Sequence, residues 1–123
     1  MKRDNSGTER CEIIAVVQKT LGGKWKLEIL YYIGFQGIHR FGELRRHIGG
    51  ISESSLTNQL RELESAGFIS RYDYKEIPPK VEYSLTELGK SFMPVMDYMK
   101  SWGEANLGGC SSDDSGLRHL ERG

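Results

Sequence analysis

The chain has 123 residues, 37% of them hydrophobic, and its 17 Lys+Arg balance 17 Asp+Glu. Length and apolar content predict one globular domain and exclude disorder of the whole chain, while charge balance excludes attraction to nucleic acid by net charge alone. No apolar run reaches the ~18 residues of a membrane span, the polar Met1–Asn5 start lacks the core of a secretory signal, and Cys11 and Cys110 are too few for a disulfide framework or structural zinc. A cytoplasmic, reducing setting with no membrane partner is therefore expected.

Residues 1–10 are polar and expected to form a flexible N-terminus. The domain is expected over residues 11–107. From Cys11 to Leu21, the residues Ile13, Ile14, Val17 and Leu21 recur at helical spacing, and Gly22-Gly23 stops the pattern. A second helix is predicted from about Lys24 to Phe35; after Glu28 it is apolar almost all round, which suits a central helix. Ile38–Arg40 reads as a short extended piece. A third helix, roughly Gly42–Ile48, aligns Phe41, Leu44 and Ile48 on one stripe and directs Arg45 and Arg46 away from it.

Gly49-Gly50 makes a tight turn, after which Ser52 reads as an N-cap with Glu53 near the positive end of the helix dipole. The fourth helix, Glu53–Ala66, carries Leu56, Leu60 and Leu63 at spacings of four and three, and Gly67 reads as its C-cap. Ile69–Tyr74 alternates like a strand, the prolines of Lys75–Pro79 cannot continue it, and Lys80–Leu85 alternates again, which predicts a β-hairpin. Thr86 reads as the cap of a last long helix with Leu88, Phe92, Met96, Met99 and Trp102 on one face and a bend at Pro94. Residues 108–123 have the composition of a flexible tail.

Three helices, a turn, a fourth helix, a hairpin and a last helix are the order of a winged helix-turn-helix: mostly α, with a β-hairpin wing. Opposite its leucines, the fourth helix collects Ser54, Asn58, Arg61 and Ser65, with Ser55 and Thr57 on the flanks. Short polar side chains of this kind can pair with base edges and let the backbone approach the major groove. Arg45 and Arg46, with Arg71, Lys75 and Lys80 of the hairpin, can reach phosphates. Double-stranded DNA is thus the expected partner. The alternative is a winged-helix module for protein–protein contact without sequence-specific DNA binding. That role calls for apolar or aromatic anchors where Ser54 and Asn58 stand, and there are none.

The first and last helices offer more apolar surface than a small core needs. Ile14, Val17, Met96, Met99 and Trp102 are therefore assigned to a homodimer seam formed by the N- and C-terminal helices, with simple core packing as the other reading of the methionines. No phosphate loop, zinc-type motif or nucleophile elbow is present, and His39, His47 and His119 stand singly. No catalytic residue, metal or cofactor is expected. Cys11, at the start of the first helix, is placed where the dipole favours a thiolate; its other reading is a small buried side chain.

Several motifs in order resemble the HxlR-type transcriptional regulators, which are related to the multiple-antibiotic-resistance regulators. They are Gly22-Gly23-Lys24-Trp25, Arg40-Phe41-Gly42-Glu43-Leu44, Gly50-Ile51-Ser52, the Leu56–Glu64 run, Gly67–Arg71, Pro78–Gly89 and Trp102-Gly103. The resemblance covers about Cys11 to Gly103. It implies a homodimeric winged helix that binds an inverted-repeat operator. It also implies, for some members, a response to a small-molecule oxidant or electrophile through an N-terminal cysteine, a position that Cys11 matches. Gly42 departs from the family pattern, where a better N-cap such as Ser is common.

Overall fold

The computed structural model describes residues 12–108 of the chain. Cys11, Cys110, His119 and the two terminal segments singled out above lie outside the described residues. The elements run α1 (Glu12–Leu21), α2 (Lys26–Gly34), α3 (Phe41–Ile48), α4 (Glu53–Ser65), β1 (Ile69–Asp73), β2 (Val81–Leu85), α5 (Glu87–Ser91) and α6 (Met93–Asn106). None of the described helices is long and apolar enough to cross a membrane.

The leucine and isoleucine spacings do what they predict. Ile29, Leu30 and Ile33 of α2, Leu44 of α3, and Leu56, Leu60 and Leu63 of α4 are all buried, and Ile51, Phe68, Ile69 and Tyr83 close the same core. Each such side chain contributes roughly 1.5–3 kcal/mol by leaving water. The second helix is central as expected, packing against α3, α4, α6 and β2. It starts two residues later than predicted, and its first residue, Lys26, is a buried charged residue.

The turn after α3 uses glycines in the left-handed region, Gly49 at φ 71° and Gly50 at φ 72°, where an L side chain is strained. Ser52 caps α4 as predicted: its hydroxyl accepts the Ser55 amide at 3.0 Å. The cap of α3 differs from expectation. Its first backbone bond runs from the Leu44 amide to the Arg40 carbonyl, so Arg40 is the N-cap and Gly42 lies inside the first turn.

The hairpin is antiparallel, with Ile69 opposite Leu85 and Asp73 opposite Val81. His39 docks onto its second strand twice: the Tyr83 amide donates to the His39 carbonyl at 2.9 Å, and His39 Nδ1 meets the Tyr83 carbonyl at 2.8 Å. The extended piece before α3 is thereby fastened to the wing.

Two expectations about the C-terminal helix are corrected. It does not bend at Pro94 but divides into α5 and α6, joined at Phe92. Pro94 has no amide hydrogen for the Lys90 carbonyl and its ring crowds that oxygen, whereas near the first turn of α6 no donor is needed. Met96, assigned to a dimer seam, is only 7% exposed and belongs to the core of its own chain. It faces inward because α6 packs against α2.

Candidate nucleic-acid interface

The fourth helix presents the polar face that its sequence implies. With Leu56, Leu60 and Leu63 inside, Ser54, Asn58 and Arg61 are exposed, and Ser55 and Thr57 are half-buried on the flanks. The Thr57 hydroxyl donates to the Glu53 carbonyl at 2.9 Å, so it is left to act as an acceptor. Ser54 and Asn58 have no such tie to their own helix backbone among the described residues, and their side chains can turn toward a base edge.

Arg45 and Arg46 are both exposed on α3, but they are not equivalent. Arg45 Nε donates to the Ile51 carbonyl at 3.1 Å, so part of its guanidinium holds the turn between α3 and α4. Its remaining N–H groups are what it can offer outward. Arg46 lies at the junction of two open recesses. One, of about 640 Å³, is lined by Arg45, Arg46, Ile51, Ser52 and Glu53 between α3 and the start of α4. The other, of about 500 Å³, is lined by Arg40, Glu43, Arg46, Pro79 and Val81 between α3 and the base of the wing. Both also include Phe41 and Gly42, so wing, α3 and the start of α4 form one continuous surface.

The wing cations likewise divide. Arg71 and Lys75 are exposed, and Lys75 stands at φ 59° with its amide bonded to Asp73 Oδ1 at 2.8 Å. Lys80 is half-buried, with Nζ 4.3 Å from the centroid of the Tyr74 ring. Tyr74 in turn donates its hydroxyl to Glu82 Oε1 at 2.8 Å. That hydrogen bond to the carboxylate, with the nearby negative charge, raises the Tyr74 pKa above its ordinary value. Tyr72 packs edge-on against Tyr74 at 4.7 Å between ring centroids, completing a stiff stem.

Arg61, at the far end of α4, lines a third recess of about 450 Å³ together with Lys19, Lys26, Glu62 and Ser65. There Lys26 Nζ meets Glu62 Oε1 at 2.7 Å. Sequence reasoning missed this pair, and it also left Arg40 without a role. The signal for Arg40 was its place between an extended segment and a helix start; for Lys26 there was none. Among the described residues, no group of three or more His, Cys, Asp or Glu is arranged to hold a metal ion.

A polar, exposed helix behind a glycine turn, backed by arginines and flanked by a two-stranded wing, defines the winged helix-turn-helix class of DNA-binding regulators. The chain belongs to the HxlR-like helix-turn-helix family, whose model matches residues 20–110. This is a family of transcriptional regulators and not of enzymes. The chain is 51% identical over 86 residues to YybR of Bacillus subtilis strain 168, an uncharacterized HTH-type transcriptional regulator, covering 70% of this chain and 68% of YybR. Its structure is similar to that of the redox regulator HypR in its oxidized form, with TM-score 0.69 and 43% identity over 78% of this chain and 97% of HypR. It is also similar to the reduced form of the transcriptional regulator YodB from Bacillus subtilis, with TM-score 0.65 and 28% identity over 85% of this chain and 99% of YodB.

Proposed function

We propose that this regulator acts as a homodimer on an inverted-repeat operator, reading base edges with Ser54, Asn58 and Arg61 of α4 and with Ser55 and Thr57 at its sides. Arg45, Arg46, Arg71, Lys75 and Lys80 hold phosphates. The observation that carries the reading is the exposed polar face of α4 directly opposite three buried leucines. A protein-docking face would carry apolar anchors at the same positions.

The dimer is supported by apolar surface that the chain leaves uncovered. Ile14 (64% exposed) and Val17 (45%) of α1, and Met99 (43%) and Trp102 (52%) of α6, lie outside the core. Leu21 is the one buried residue of α1. Apolar helices of this kind, left bare in one chain, suit an isologous seam between two.

A redox or electrophile response through Cys11 is the finer part of the proposal. Cys11 directly precedes Glu12, the first residue of α1, in the sequence. The likeness to HypR, a redox regulator, and to YodB, for which a diamide-treated form is known, supports that response. Sensing at the edge of the proposed seam would alter the spacing of two reading heads without touching DNA.

The test is fluorescence anisotropy on a duplex selected by the protein from a random library, beside an unselected duplex. Asn58→Ala is expected to cost ~1–3 kcal/mol on the selected duplex and little on the unselected one. Equal weakening on both would remove Asn58 from base reading.

A further inference from the structure

The recess between α3 and the wing pairs Arg46 with Arg40, an arginine that the assigned DNA contacts do not use. Arg40 and Arg46 both line it, with Glu43, Pro79 and Val81 among the other lining residues. Both arginines are exposed, and neither has an ion pair or hydrogen bond to another described side chain. The Arg46 guanidinium reaches over Gly42: Nη1 lies 3.9 Å from where a Cβ on that residue would stand, and nothing else beyond its chain neighbours and its own helix backbone comes within 4 Å. Gly42 therefore leaves the floor of the recess bare. Two guanidiniums against one carboxylate leave a surplus of one positive charge in an opening of about 500 Å³.

Arg40 is also held in place more firmly than an exposed arginine usually is. Its neighbour His39 is bonded to Tyr83 of β2 through both carbonyl and ring. The Arg40 carbonyl accepts the first backbone bond of α3, from Leu44 at 2.9 Å. Its backbone is thus fixed between wing and helix, and only the side chain remains to be ordered by a ligand.

We propose that Arg40 and Arg46 bracket a seat for one backbone phosphate of duplex DNA, set between α3 and the base of the wing. The proposal rests on the reading of this surface as a DNA interface and adds Arg40 to it. Guanidinium forks match phosphate oxygens in pairs, and two arginines lining one open recess can share one phosphate. A protein or peptide carboxylate would satisfy the same forks. The phosphate is favoured because the recess is continuous, through Arg46 and Gly42, with the start of α4. Such a seat fixes the distance between wing and reading helix on the duplex and carries no sequence information.

The experiment is anisotropy with the full chain on the selected and unselected duplexes over a salt series. Arg40→Gln is expected to weaken both duplexes by the same factor and to flatten the log–log salt slope by about 0.9 per protomer, hence about 1.8 for a dimer. Arg40→Lys, which keeps the charge, retains the slope, and Glu43→Gln tightens binding to both. Phosphate-ethylation interference should lose one position per half-site in Arg40→Gln. An unchanged slope in Arg40→Gln, with folding intact by circular dichroism, overturns the seat; so does a loss confined to the selected duplex. The reading of α4 fails separately, when wild type prefers neither duplex. A wild type without preference but with an Arg40-dependent slope keeps the seat and discards base reading.

Discussion

Lys26 and Glu62 join the start of α2 to the second half of α4 across 2.7 Å, with the lysine side chain 10% exposed and the glutamate 57%. The ammonium is nearly removed from water, and this carboxylate is its ion-pair partner. Glu62→Ala leaves that charge buried without its counter-ion and is expected to cost ~1–3 kcal/mol in urea unfolding. Lys26→Met fills similar volume without a charge and should cost less. Equal losses for the two variants would show that the pair contributes through packing alone.

The seam is expected to depend on Met99 and Val17 but not on Met96. Met99→Asp or Val17→Asp places a charge on an exposed apolar face and should give folded monomers by sedimentation, with operator binding lost. Met96→Ala should instead destabilise the fold by ~2–5 kcal/mol, because it opens a cavity in the core. A monomeric wild type at micromolar concentration would contradict the dimer.

The wing cations should separate in a salt series. Lys75→Ala is expected to flatten the slope by roughly 1.8 for a dimer. Lys80→Ala should change it less, since the Lys80 ammonium is held over the Tyr74 ring. The reverse order would mean that the ammonium leaves the ring when DNA binds.

Treatment with diamide, a quinone or an aldehyde is expected to weaken or alter operator binding by wild type and by Cys110→Ser, and to leave Cys11→Ser unaffected. Binding by anisotropy, with and without the reagent, is the measurement. A Cys11→Ser variant that responds as wild type does assigns the cysteine a structural role.

Most of the architecture was legible because it rests on local rules. Leucines at three and four, Ser52 ahead of Glu53, Gly49-Gly50 and the Pro78-Pro79 tip each specify one conformation with little help from elsewhere. Other features were not legible, because each depends on how separate elements come together. A lysine in a first helical turn reads as solvated until Glu62 arrives from 36 positions away in the chain. Met96 and Met99 share a stripe three residues apart, and only the approach of α2 decides that one is core and the other bare. Arg45 and Arg46 look alike until the turn folds back and takes one guanidinium for the Ile51 carbonyl. The polar face of α4 was readable from periodicity alone, whereas Arg40 gained meaning only when the wing came to lie beside it.

The division at Phe92 bears on how two chains would communicate in the proposed dimer. On its near side, α5 is pressed onto the segment that leads into β1: a Cβ at Gly89 would come within 2.2 Å of the Phe68 carbonyl, and Thr86 bonds both Gly89 and the Gly67 carbonyl. On its far side, α6 carries the bare surface of Met99 and Trp102. A continuous helix would transmit any tilt as a rod does. Here a single residue joins the two helices: the Phe92 amide donates to the Gly89 carbonyl, its carbonyl accepts the Met96 amide, and its ring meets Phe68 edge-on. In the proposed dimer, a shift of α6 at the seam would reach the wing through Phe92 and α5, so half-site spacing would depend on that joint as well as on the seam.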